Sequence, residues 1–337
     1  MPAAGSPPSD DMSSTLTNWR SALFRLALFA LLVALLLRQV DLSLVLNYFR
    51  PDLLVAATAI QPLVAVSFLF GALRLRLLVG PDSARFTTVL NALLLSSGMN
   101  LLLPGRLSEV LKVTYLRDHD GVAASAGLAA VFLERLTDII ILGILAVASI
   151  WLALADPGPG FVVLMIAAVA TLLALPLLEM IVSAAVRIIP GAWLREMVMR
   201  VNTQLVARVK DRTIYGALGY GACLWLSSLA NVYLFLHISG NASIGISGAL
   251  VIFVLSMVGG AIPALPGGFG TYEAAVVFAL KGYGYSVEEA IPIALAMHAG
   301  QLFLSSVAAA WIVVTETTGV RSLTSQITAV LRSRQDS

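Results

Sequence analysis

Apolar residues run through this chain in stretches that a water-soluble fold could not bury. They cover residues 23–40, 53–73, 86–103, 122–154, 161–186, 214–236, 244–262 and 290–314. A helix crosses about 30 Å of hydrocarbon with roughly 17–25 such residues. Composition agrees, because 59% of the 337 residues are hydrophobic and 12% charged, against about 45–50% and about 25% in soluble domains. The runs lack the two-residue alternation of lipid-facing strands, which excludes a porin-like barrel. The fold class expected is therefore all-α, a polytopic membrane protein. A net charge of only +2 gives no reason to expect a nucleic-acid partner. The single cysteine, Cys223, excludes an intramolecular disulfide and a cysteine-based metal or redox cluster.

Residues 1–18 are rich in Pro, Ser, Asp and Gly and read as a disordered lead-in. The run at 23–40 is too long for a cleaved leader and no small-x-small cleavage pattern follows it, so it reads as the first membrane helix. Two later runs end differently. Pro104-Gly105 and Pro266-Gly267-Gly268 interrupt them, and each break is followed by a helical stretch too short to span comfortably alone. Broken backbone at membrane depth is tolerated only inside protein or along a cavity. Both breaks are therefore expected to be re-entrant hairpins, at 86–117 and 246–281.

Charge distribution gives the orientation. Taking segments 20–25, 74–85, 106–117, 187–212 and 321–334 as cytoplasmic collects 17 of the 21 Lys and Arg on one side, the positive-inside bias that puts both termini in the cytoplasm. The hairpins then enter from opposite faces and the chain reads as an inverted repeat. Repeat 1 occupies 19–155. Repeat 2 occupies 156–314 and carries a basic amphipathic helix at 193–212, and a cytoplasmic tail fills 315–337. Paired Gly and Pro interruptions in corresponding halves point to a transporter's binding site. Eight plain, kinked spans are the alternative.

Charged groups within such a chain need a reason. Arg106, Glu109, Lys112 and Arg117 follow the first break, and the three-residue spacing of the first three lets them share one helix face. Arg offers a multidonor fork to phosphate, and Glu accepts from an ammonium or pairs the Arg. A solvated inner-leaflet helix would carry the same charges. Glu134, Arg135 and Asp138 interrupt an apolar stretch, where ionised groups normally pair, face the protein interior or line a path. Arg135 can pair with Asp138, whereas Glu134 and Asp138 would repel unless a further cation intervened, for which Arg106 and Arg117 are the candidates. A static helix-bundle ion pair is the plainer reading.

In the second half, Glu273 is the counterpart of Glu109, and Gly267, Gly268 and Gly270 permit positive φ or close backbone approach at the tip. They are not a nucleotide loop, since neither a preceding strand nor a Gly-Lys-Ser/Thr is present. N–H groups at the following helix start can receive a phosphate oxygen. His298 and Gln301, three apart, are candidates to reach the cavity, and Tyr272 reads as a headgroup contact or an interface anchor. The three histidines lack metal spacing and no Gly-x-Ser-x-Gly elbow occurs, so nothing argues for an enzyme on its own and no cofactor is expected.

At three blocks the chain resembles the integral membrane family that includes the flippase region of bacterial lysylphosphatidylglycerol synthases. The blocks are Pro104-Gly105-Arg106-Leu107-Ser108-Glu109, then Leu133-Glu134-Arg135-Leu136-Thr137-Asp138, and Pro266-Gly267-Gly268-Phe269-Gly270-Thr271-Tyr272-Glu273. The resemblance implies a flippase or lipid transporter of the bacterial cytoplasmic membrane, moving a phospholipid, aminoacyl lipid, glycolipid or polyprenyl-linked lipid with a polar or anionic headgroup. Arg106, Glu109, Glu134, Arg135, Asp138 and Glu273 carry the family positions. Protons are a candidate coupling ion, and a lipid-modifying or envelope-synthesis enzyme a candidate partner. Bifunctional members carry an aminoacyl-transferase domain after the membrane part. The short stretch after Val314 leaves no room for one, so aminoacylation is not expected. A membrane enzyme acting on a lipid-linked substrate, and a scaffold for an envelope-lipid pathway, are the alternatives.

Overall fold

The computed structural model describes residues 50–103, 107–153, 192–262 and 266–315. The lead-in, the expected spans at 23–40 and 161–186, the tail and Arg106 lie outside the described residues. Every regular element among those described is helical: α1 (Pro51–Ala59), α2 (Gln61–Val79), α3 (Phe86–Met99), α4 (Leu107–Asp120), α5 (Ala124–Ala153), α6 (Ala192–Lys210), α7 (Thr213–Ile238), α8 (Gly245–Ala261), α9 (Thr271–Lys281) and α10 (Val287–Thr315), with single 3-10 turns before α8 and α9.

Among the described residues, four stretches are long and apolar enough to cross a membrane: Pro51–Val79, Thr213–Ile238, Ala242–Ala261 and Val287–Thr315. The first is α1 and α2 joined at Ile60, where Pro62 contributes no N–H to the ladder. Gln61 restores a bond at the joint by donating to the carbonyls of Ala57 at 2.7 Å and Gly300 at 2.8 Å, which ties this rod to α10. By contrast α4 has 14 residues and α9 has 11, about 21 and 16 Å of helix, each short of the hydrocarbon thickness.

The packing is paired across the two halves. Helix α2 packs along α7; α3 packs against its successor α4 and against α10, and α8 packs against its successor α9 and against α5. One apolar cluster, with Leu75, Val89, Leu116, Leu133 and Leu205, surrounds the first short helix. A second, with Ile60, Phe235, Phe253, Val276, Leu280 and Ile293, surrounds the second. Helix α6 presents Leu205 to the first cluster while Arg195 and Arg200 stay exposed. It is therefore docked on the bundle, and Arg208 fastens it further by donating to the Val79 carbonyl at 2.9 Å.

Each short helix is fixed at its base or tip by polar bonds. Asp120, at the end of α4, accepts from the backbone N–H of Arg85 at 2.7 Å and from its guanidinium at 2.9 Å, closing the base of the α3–α4 hairpin. Burial would raise the Asp120 carboxyl, but these bonds outweigh it and hold it below the usual carboxylate range. At the tip between α8 and α9, Gly267, Gly268 and Gly270 all have positive φ, one of the two uses that glycine permits there. Gly268 also lies so near the backbone of Gly260 that an added Cβ would sit 3.0 Å from it, so only glycine fits there.

Candidate functional site

A cavity of about 760 Å³ opens between the two halves, inside the 300–1,000 Å³ range typical of ligand sites. It is lined from α2, α3, α4, α5, α7, α8 and α10 and from the Pro266–Gly268 turn. Asn100 and Ser108, on either side of the first sequence break, and the Pro266–Gly268 turn of the second thus face one space, and the helix after each break carries a carboxylate, Glu109 or Glu273.

Charges in this cavity form a closed ring of alternating sign. Arg74 of α2 meets Asp138 at 2.6 Å and Glu134 at 3.5 Å. Glu134 meets Lys112 of α4 at 3.0 Å, and Lys112 meets Glu109 at 2.8 Å. Glu109 pairs with Arg135 of α5, which returns to Asp138 at 3.5 Å. Each cation therefore bridges two carboxylates, and the six formal charges cancel. That balance lets so many ionised groups persist away from water, because each buried charge is paired on two sides. Trp225 of α7 adds a bond from Nε1 to Asp138 at 2.8 Å.

The ring is not uniformly sealed. The side chains of Arg74, Lys112 and Glu134 are 6%, 3% and 2% exposed, whereas that of Arg135 is 43% exposed. Arg135 is accordingly the cation most accessible to an incoming anion. Around the ring, Ser96, Ser97, Asn100, Ser108, Ser228, Asn231 and Gln301 supply neutral polar groups. The Asn231 side-chain oxygen and the Arg74 Nε are buried with no hydrogen-bond partner in the protein, an arrangement found where a ligand or water completes the bonding.

Glu273 and His298 make a second, smaller cluster. Glu273 accepts the Gly270 N–H at 2.6 Å through Oε2, which caps the start of α9, and meets His298 Nδ1 at 2.7 Å through Oε1. The Tyr272 ring stacks on His298 with centroids 4.0 Å apart, and Phe269 lies at 5.0 Å. Tyr272 is buried, so it is not an interface anchor. Its hydroxyl faces Ser256 and Gln301.

The predicted residues divide accordingly. Glu109, Lys112, Glu134, Arg135, Asp138, Gly267, Gly268 and Gln301 line the cavity. Tyr272, Glu273 and His298 adjoin it as the stacked cluster, and Gly270 forms the exposed cap. Arg117 is half exposed at the far end of α4, pairs with its neighbour Asp118 at 3.0 Å and does not line the cavity. The cation between Glu134 and Asp138, expected from Arg106 or Arg117, is Arg74. Arg74, the first residue of the segment 74–85 taken as cytoplasmic, lies within α2 and is buried. Its signal was an Arg inside an apolar helix, which normally implies a partner. Asn231, Ser228 and Trp225 were missed too, although Ser228 and Asn231 stand three apart in an apolar run, a polar stripe visible in sequence.

No curated protein and no solved structure matches the chain. The family described as Lysylphosphatidylglycerol synthase TM region matches residues 22–309, most of the chain and all three motif blocks. The membrane helices, the hairpin motifs and this match agree: the chain belongs to the lysylphosphatidylglycerol synthase TM region family, integral membrane proteins connected with envelope lipids.

Proposed function

We propose that this protein is a lipid flippase or lipid transporter of a bacterial cytoplasmic membrane, passing the polar headgroup of a lipid through the central cavity while the acyl chains stay in the bilayer. The observation that carries this reading is the neutral ring of six charges lining a cavity between the α3–α4 and α8–α9 helix pairs. Such a ring is stable when empty, and it can exchange partners. A phosphate replaces a carboxylate at Arg135 and Arg74, and an ammonium or hydroxyl of the headgroup answers the freed Glu109 or Asp138. A headgroup carrying both phosphate and ammonium therefore enters without leaving an unpaired charge, whereas one with a hydroxyl in place of the ammonium hydrogen-bonds the freed carboxylate and adds one net negative charge.

The packing supports an inverted repeat. Exchanging α2 with α7, α3 with α8, α4 with α9 and α5 with α10 turns the α3–α10 contact into α8–α5 and the α4–α5 contact into α9–α10, all of which occur. Two such halves can tilt against each other and open the same cavity to either face.

The test is leaflet transfer of labelled phospholipids, aminoacyl lipids, glycolipids and polyprenyl lipids in proteoliposomes. Arg135→Ala and Glu109→Gln are expected to reduce transfer at least about tenfold, the equivalent of one lost charge-assisted bond of about 1.4 kcal/mol or more. Transfer unchanged in both variants, or no transfer of any lipid by intact protein, refutes the proposal.

A further inference from the structure

The two short helices are held to the long helices after them by matching contacts. Glu109 on α4 pairs with Arg135 on α5, 26 residues later, and Glu273 on α9 pairs with His298 on α10, 25 residues later. Three residues beyond each partner, Asp138 and Gln301 face the cavity. The halves thus share one clamp between short helix and long helix, in which the cationic partner of the carboxylate differs. The first clamp uses arginine, which keeps its charge at every pH that proteins meet, and the second uses histidine, which gains and loses a proton near neutrality.

We propose that the Glu273–His298 pair is a proton-binding site, and that proton uptake there closes the second hairpin onto α10. With His298 neutral the pair holds one net negative charge among buried groups. A proton taken from water onto the imidazole makes imidazolium and carboxylate, of net charge zero, with no other bond broken. Removing a buried net charge, and turning the existing Nδ1–H bond to the carboxylate into a bond between two opposite ions, both favour the closed clamp. The first clamp is already neutral and needs no proton.

The surroundings leave the proton to this pair. Helix α9 brings Glu273 and Tyr272 to the imidazole, and its other ionisable side chain, Lys281, is at the far end. Helices α3 and α8 contain no ionisable side chain, and α1 offers only Asp52, paired with Arg50. On α2, Arg74 belongs to the ring and Arg76 bonds the carbonyls of Pro81 and Ala84. Glu288 and Glu289 of α10 lie at its start, more than two turns from His298. The site also reaches the hairpin tip: the Glu273 carboxylate that meets the imidazole is the one that caps the start of α9.

This inference deepens the transport reading, and its test does not depend on finding the lipid. In a Cys223→Ser background, Ile262→Cys places a thiol at the exposed tip of the second hairpin. Its labelling rate in lipid nanodiscs is measured against pH and normalised to that of the exposed Cys223 in the otherwise native chain. One pKa unit of coupling changes the clamp equilibrium about tenfold. Labelling is therefore expected to be up to about tenfold slower at acid than at alkaline pH, with one transition, and the response should flatten in His298→Gln and in Glu273→Gln. The His298 imidazole 15N resonance, identified by its loss in His298→Gln, is expected to titrate at the same pH and to move in Glu273→Gln. A pH response that survives both substitutions, or a His298 resonance that does not titrate between about pH 4 and 9, overturns the proposal even if folding of a variant fails. A titrating clamp in a protein that moves no lipid would leave the proton site standing and remove the flippase reading. Lipid transfer with a pH-insensitive hairpin would do the reverse.

Discussion

Replacing Arg74 by Met removes the one cation that joins α2 to α5 across the ring, and the structure sets the size of the effect. Arg74 gives up a bond of 2.6 Å to Asp138 and a longer one of 3.5 Å to Glu134. Charge centres about 4 Å apart at an effective dielectric of about 20 interact by roughly 4 kcal/mol. The carboxylates are not abandoned altogether, because Glu134 keeps Lys112 at 3.0 Å and Asp138 keeps Trp225 at 2.8 Å and Arg135 at 3.5 Å. The ring is nonetheless left with one uncompensated negative charge, for which removal of one partner from a buried pair costs about 3–5 kcal/mol; the retained partners place the expectation near 3. Arg74→Met/Asp138→Asn restores neutrality and is expected to recover at least half of that loss. Unfolding measured in lipid or mild detergent, with wild type, both single variants and the double variant, gives the coupling directly. Arg74→Met as stable as wild type, or single-variant costs that simply add in the double variant, would refute the ring as an electrostatic unit.

Three further expectations test the fold and the site. A Cβ at Gly98 would lie 2.4 Å from the Ser305 carbonyl and 2.5 Å from the Ala309 Cβ. Gly98→Ala should therefore force α3 from α10 at about 1–3 kcal/mol, whereas Gly219→Ala, with nothing within 4 Å of its Cβ, should be neutral or stabilising by up to about 1 kcal/mol; equal thermal shifts would contradict this packing. Asp120 is held below its ordinary value by Arg85, so its contribution is present above the unfolded carboxyl value of about 3.9 and fades as pH falls through the lower folded value. Asp120→Asn should lower stability at neutral pH and flatten the acid limb of the unfolding profile, and parallel wild-type and variant profiles would be the contrary result. Arg117→Ala should leave lipid transfer within about twofold of wild type, since a half-exposed pair with a sequence neighbour contributes little; a loss as large as that of Arg135→Ala would place Arg117 on the lipid's route.

How much was legible in the sequence follows from how far each signal reaches along the chain. Long apolar runs dictate membrane helices because every peptide group in hydrocarbon must bond within its own segment. Pro and Gly dictate where those helices break. Three-residue spacing placed Glu109 beside Lys112 and Arg135 beside Asp138, since such residues share a helix face. These local rules fixed the all-helical class, both breaks and most of the cavity charges. They could not identify Arg74 as the cation of the ring, because its carboxylates lie 60 and 64 residues away, and helical periodicity says nothing about which helix a face will meet. For the same reason Arg117, five residues after Lys112 and eight after Glu109 in the same cluster, looked equivalent to them until its half-exposed position at the end of α4 set it apart. The Glu273–His298 clamp likewise came from the tertiary fold, which alone brings a hairpin tip against a helix that begins after the next turn.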